Sequence, residues 1–161
     1  MAVLLTGNEH SVELRPVGYQ FSATSGDSYD DNWLIIGGRV TTPDGSWSFS
    51  DPVLLTDEGR RLSRWLRAAA RGRVAVAQQD REGGWSPSLT FIEPVLAFSL
   101  VGRTDGAVRV RVHLSLEASP PWRPDTEGDL APYEVEIELT EAELLRAADE
   151  WDRELLAFPV R

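Results

Sequence analysis

The segment from Val108 to Glu117 alternates without a break. Val108, Val110, Val112, Leu114 and Leu116 fall on one side, and Arg109, Arg111, His113, Ser115 and Glu117 on the other. A period of two is that of an extended strand with one apolar face. The segment from Tyr133 to Leu139 repeats the pattern, setting Tyr133, Val135, Ile137 and Leu139 against Glu134, Glu136 and Glu138. One strand presents arginines and the other glutamates. Antiparallel pairing sets these charges opposite one another, each pair contributing about 0.2–1 kcal/mol. The expectation is an antiparallel sheet with these two strands adjacent and their polar side, His113 included, at the surface.

Other stretches extend the sheet. Ser11 to Arg15 alternates and Val17 to Phe21 is apolar-rich, with Pro16 confining them to an edge or a break. Trp33 to Thr42 is a strand that leaves the acidic turn Tyr29-Asp30-Asp31-Asn32, and its Gly37-Gly38 suggests a bulge. Pro43-Asp44-Gly45-Ser46 is a hairpin signal, with Trp47 to Val53 as the return strand. Leu89 to Ile92 and Val95 to Val101 read as strands divided by Glu93-Pro94, and Thr104-Asp105-Gly106 as a further hairpin turn.

Two segments have helical spacing. Thr56 reads as a cap, followed by Leu62, Trp65, Leu66 and Ala69 as a buried stripe, arginines on the opposite face, and Gly72 at the end. The second helix opens on a capping box, Thr140 to Glu143, and buries Leu144, Ala148, Trp151, Leu155 and Phe158. The recurring Leu-Thr-acid step before both helices, at Leu55 and at Leu139, reads as common cap chemistry. The predicted fold is therefore α+β. An antiparallel sheet of about seven or eight strands, in one curved layer or two packed ones, carries two amphipathic helices. At 161 residues the chain is expected to be one domain over 1–161.

Composition narrows the chemistry. There is no cysteine, which excludes disulfides, thiolate nucleophiles and cysteine-ligated zinc. The start has no basic leader and no apolar run reaches the roughly 20 residues of a membrane-spanning helix, so a cytoplasmic address is expected. The net charge is -10, and all sixteen basic residues are arginine. A field of that sign repels nucleic acid and anionic lipid and favours a cationic partner. The six arginines between Arg60 and Arg73 lie opposite an apolar stripe and read as a solvated helix face.

No nucleophile elbow, P-loop or dinucleotide fingerprint occurs. His10 and His113, the only histidines, lack metal spacing, and the Asp27, Asp30, Asp31 cluster lacks the alternation of a calcium loop. No cofactor, metal or catalytic residue is expected. Two acidic loops stand out as partner-binding candidates. One carries Asp27, Asp30 and Asp31; the other carries Trp122 with Asp125, Glu127 and Asp129. An aromatic among acids suits an interface anchor.

Several blocks in order resemble the WapI-like immunity proteins. These are Gly18-Tyr19-Gln20-Phe21 with Tyr29-Asp30-Asp31-Asn32-Trp33-Leu34, and Asp51-Pro52-Val53-Leu54-Leu55-Thr56 leading to Trp65-Leu66. Phe91-Ile92-Glu93-Pro94 and the closing Leu155-Leu156-Ala157-Phe158-Pro159-Val160-Arg161 complete the set. The chain departs from the pattern at Ser22, Asp31 and Gly59. The resemblance implies a non-enzymatic protein that binds and blocks a polymorphic bacterial toxin domain in the cytoplasm. The net charge of -10 adds an expectation of its own, an acidic surface that enters a basic cleft in place of substrate phosphates. The alternatives are a ligand-binding or regulatory module with a pocket between sheet and helices, and a small enzyme using buried carboxylates.

Overall fold

The computed structural model describes residues 3–7, 9–123 and 131–161. Among the described residues, seven antiparallel strands form two sheets that do not close into a barrel. The first sheet is a meander of β1 (Val3–Thr6), β2 (Ser11–Tyr19), β3 (Trp33–Thr42) and β4 (Gly45–Leu55), followed by helix α1 (Thr56–Ala70). The second is a meander of β5 (Leu96–Thr104), β6 (Ala107–Leu114) and β7 (Tyr133–Leu139), followed by helix α2 (Glu141–Leu155). The choice between one curved sheet and two is thus resolved as two, within the α+β architecture expected.

The charge register across β6 and β7 is the one the sequence dictates. Arg109 pairs with Glu138, Arg111 with Glu136, and His113 with Glu134. Arg109 and Arg111 donate to their partner carboxylates at 3.2 and 2.7 Å. The apolar sides of both strands enter the core with Phe98 and Leu100 of β5.

Two of the three register shifts fall beside prolines, the third lying between Leu100 and Gly102 of β5. The β2–β3 register shifts between Pro16 and Gly18, and the β3–β4 register shifts beside Pro52. Pro16 lies beyond the last β1 pair, Val3 with Leu14, so its missing N–H faces an unpaired edge. Gly37-Gly38, expected to bulge, pairs regularly instead. Its cause is packing: a Cβ on Gly38 would sit 2.2 Å from the Phe49 ring. Leu89 to Ile92 is not a strand. Only Leu89 pairs, exchanging backbone hydrogen bonds with Phe98 at 3.0 and 3.1 Å. Val76 and Ala77 lie along Leu100, so this irregular segment covers the outer edge of β5.

The helices pack on each other inside this frame. Thr56 does not cap α1; the cap is Leu55, and Glu58 reaches back to accept from its N–H at 3.0 Å. The Thr56 hydroxyl donates instead to Asn32 Oδ1 at 3.0 Å. Thr140 does cap α2, with Glu143 closing the box. The two Leu-Thr-acid steps are therefore offset by one residue in use. Gly59 allows the close helix approach: its carbonyl accepts from the buried Trp151 indole at 2.7 Å, and a Cβ there would press on Leu155 at 3.2 Å. Arg67 bridges to Asp149 and Asp152 of α2 at 2.8 and 2.6 Å. At the other end of α1, Arg103 donates to the carbonyls of Ala69 and Ala70, where the helix dipole favours a cation.

Candidate functional site

The loop from Gln20 to Asn32 is built around three side chains. Asn32 is buried, its amide donating to the carbonyls of Ser28 at 2.6 Å and Arg161 at 2.9 Å. Its oxygen accepts from the Arg161 N–H at 2.9 Å as well as from Thr56. One amide thereby joins the loop, the start of α1 and the closing segment. Asp31 is also buried, and its carboxylate accepts from the Ser25 N–H at 2.8 Å, the Ser25 hydroxyl at 3.1 Å and the Gly26 N–H at 3.0 Å. The Ser25 N–H foremost holds this carboxyl below the ordinary carboxylate range, against the opposing effect of burial. Asp27 is exposed and accepts from the N–H groups of Tyr29 and Asp30 at 2.8 and 3.1 Å.

What this bracing presents outward is mixed. Asp27 and Asp30 are exposed, and so are Phe21 and Tyr29, at 47% and 48%. Tyr29 stands edge-on to Trp33 at 5.4 Å. Arg161 covers the Tyr19 ring at 4.1 Å and donates to the Phe21 carbonyl. An open hollow of about 500 Å³ lies between Gln20, Phe21, Ser22, Ala23, Ser25 and the two carboxylates Asp30 and Asp31. Sequence reading named the acids of this loop but not Phe21 and Tyr29 as its exposed aromatics.

Trp122 belongs to the other end of the sheet. Its ring meets Trp47 edge-on at 5.2 Å and lies over Gly45, across the hairpin from Thr42. Tyr133 packs on the same Trp47 and donates to Asp44 at 2.7 Å. Asp31 lies two residues before the β3 strand, which ends at Thr42, so the first loop and Trp122 are separated by roughly 30 Å of extended chain. Asp125, Glu127 and Asp129 lie outside the described residues.

A third polar group was not anticipated. His113 and Arg111 of β6, expected at the surface, are both 2% exposed. The reason is the irregular segment before β5. It turns at Asp80, whose carboxylate accepts from Glu82 and Gly84, and lays Trp85 over the outer face of the second sheet. The Arg111 guanidinium sits 4.1 Å from the Trp85 ring centre. Among the described residues its Nε and Nη1 have no hydrogen-bond partner. His113 Nε2 lies 2.8 Å from the Ser99 hydroxyl, and its Nδ1 lies 3.6 Å from Glu134. Burial first, then the Arg111 charge, pushes His113 down to about 4, while burial raises Glu134 against the pull of Arg111. The strand pattern identifies this side as polar; only the distant Trp85 segment decides that it is covered.

Hydroxyl, imidazole and carboxylate stand here in the order of an acyl-transfer triad. Ser99 is fully buried, however, so its hydroxyl has no face open to an incoming carbonyl. The group is a polar network whose hydroxyl is closed off and whose carboxylate, on Glu134, reaches the surface. Among the described residues no three His, Cys, Asp or Glu side chains are grouped to hold a metal ion. No helix among them is long and apolar enough to cross a membrane.

No curated protein and no solved structure matches the chain. A family model described as the immunity protein WapI-like family matches residues 3–159. That span takes in both sheets, both helices and Asn32, and the chain belongs to the immunity protein WapI-like family.

Proposed function

We propose that this protein neutralises a cognate toxin by binding it through the end of the first sheet that carries the β2–β3 loop. Family membership implies a toxin partner. The observation that carries the choice of surface is the pairing of exposed carboxylates with exposed aromatics on one braced loop: Asp27 and Asp30 beside Phe21 and Tyr29. Acids steer a basic cleft into place and the rings supply buried contact area. Asp31, with its carboxylate already engaged, holds the loop in shape.

In this reading the toxin is basic, the complex forms in the cytoplasm, and the immunity protein performs no catalysis of its own. Blocking is steric and electrostatic, with Asp27 and Asp30 occupying positions that substrate phosphates take. The net charge of -10 favours fast, salt-sensitive association. Trp122, at the far end of β3, is a second contact candidate; the acids at 125, 127 and 129 are candidates by sequence alone.

The test is rescue by co-expression with the cognate toxin domain. Cells expressing the wild-type chain are expected to survive, and cells expressing an Asp27→Arg, Asp30→Arg double variant of unchanged stability are expected to die. Equal survival removes this loop from the contact surface.

A further inference from the structure

We propose that the cavity where the Trp85 segment meets the start of β5 is a binding pocket for a small, neutral, flat and mostly apolar molecule. This goes beyond the toxin reading and stands apart from it. The cavity holds about 380 Å³, at the lower end of the volumes that accept small ligands. Its walls are rings: Trp85 and Phe91, with Pro87, Pro94 and Pro132. Among the described residues that line it, His113 is the one titratable side chain. Apolar walls with few polar groups are what orient a small ligand.

The walls are fixed before any ligand arrives. Trp85 is held by stacking on Arg111, and Arg111 by Glu136. Phe91 packs on Phe98, and Glu58 accepts from the Ile92 N–H at 2.8 Å, tying the wall to α1. At the rim, Leu116 has a φ of 51° and is 52% exposed. A leucine in left-handed backbone is strained, and such strain collects at ligand clamps and functional turns. An exposed leucine held in that conformation keeps its side chain at the mouth of a cavity it does not fill.

The ligand class follows from charge. The imidazole of His113 is neutral at ordinary pH and offers no countercharge to an anion. Glu93 and Glu117 are exposed beside the lining residues Pro94 and Leu116 and oppose one. No carboxylate lines the described part of the cavity to receive a cation. A neutral ring system satisfies all three conditions, and the Thr90 and Ser115 hydroxyls in the lining are the polar groups that can meet one hydrogen-bonding atom on it, the His113 nitrogens being engaged with Ser99 and Glu134.

The probe is 2-naphthol, followed by NMR on the full chain, with 2-naphthoate as the charged counterpart. Binding is expected at a sub-millimolar Kd, with shifts concentrated on the Trp85 indole, the His113 ring and the Leu116 methyls; 2-naphthoate is expected to bind at least about ten-fold more weakly. Ala97→Leu narrows the cavity from β5 and Thr90→Tyr narrows it from the exposed wall. Either variant, if folded, is expected to weaken 2-naphthol about ten-fold, while Phe21→Ala at the other end of the molecule leaves it unchanged. Absence of shifts at Trp85, His113 and Leu116 overturns the pocket, as do shifts that persist in both narrowed variants. Tighter binding of 2-naphthoate overturns the ligand class. Because no toxin is present, each result is separate from the outcome of the rescue experiment.

Discussion

Asn32 clasps Arg161: its amide donates to the Arg161 carbonyl at 2.9 Å and accepts from the Arg161 N–H at 2.9 Å, across 129 positions of sequence. The same side chain takes the Thr56 hydroxyl and binds Ser28. The Asn-Trp-Leu block therefore marks a junction of three segments rather than a reactive centre. Asn32→Ala removes four hydrogen bonds and leaves buried partners unpaired. A loss of about 2–4 kcal/mol is expected, measured by urea unfolding. Asn32→Asp keeps the acceptors and loses the donors, and an intermediate loss is expected.

Gly38 and Phe49 make a second contact that sequence reading assigned to a bulge. The aromatic ring occupies the space of the absent Cβ. Gly38→Ala is expected to destabilise by about 1–3 kcal/mol through overpacking. Adding Phe49→Leu to Gly38→Ala is expected to return part of that loss, so the double variant melts above the sum of the two single changes. Strict additivity contradicts the contact.

Trp65 contributes area and one hydrogen bond. Its ring packs on Phe98 at 5.8 Å and its indole donates to Ser88 at 2.9 Å. Trp65→Ala is expected to cost about 3–5 kcal/mol and Trp65→Phe about 1–2, the difference separating cavity from hydrogen bond. A melting shift of only a degree or two for Trp65→Ala contradicts its place in the core.

His113 gives the fold an acid dependence whose sign follows from its environment. Burial and Arg111 hold it down to about 4, against an ordinary value of 6.5. Between those values the unfolded chain binds a proton that the folded chain does not. This contribution to stability is complete above the ordinary value and is lost as pH falls toward 4, by about 2–3 kcal/mol. Glu134 acts in the opposite sense, since its raised folded value means that protonation relieves a cost. Asp31 acts in the same sense as His113 but lower, its contribution disappearing as pH drops through its depressed folded value. Urea midpoints at pH 7, 5.5 and 4.5 are expected to fall for the wild type and to fall less for His113→Gln. Parallel curves contradict the buried neutral imidazole.

The parts legible in the sequence are those set by neighbours in sequence or by a strict period. The Arg109–Glu138 and Arg111–Glu136 register follows from two alternating strands, and the α2 start from the Thr140 box. The α1 stripe of Leu62, Trp65, Leu66 and Ala69 is buried as its spacing requires. What escaped the sequence depends on contacts between distant segments with irregular backbone. Arg111 and His113 are buried because Trp85, 26 and 28 positions earlier, folds over them. Thr56 serves Asn32 instead of capping because the helix begins one residue earlier than its sequence suggests, with Leu55 in the cap position. The acidic residues of the β2–β3 loop were visible, but the division of labour among them was not. Asp31 turns inward to Ser25 and Gly26, Asp27 stays exposed while accepting from the N–H groups of Tyr29 and Asp30, and Asp30 is exposed.

The most direct measurement of the central claim is the toxin-domain Kd as a function of salt, for the wild type and for the Asp27→Arg, Asp30→Arg variant. For the wild type, affinity is expected to fall steeply between low and physiological ionic strength as the charges are screened. The variant is expected to bind at least about 100-fold more weakly, with the loss largest at low salt. Equal affinity and an equal salt slope for both proteins would contradict the account and place the toxin elsewhere on the fold.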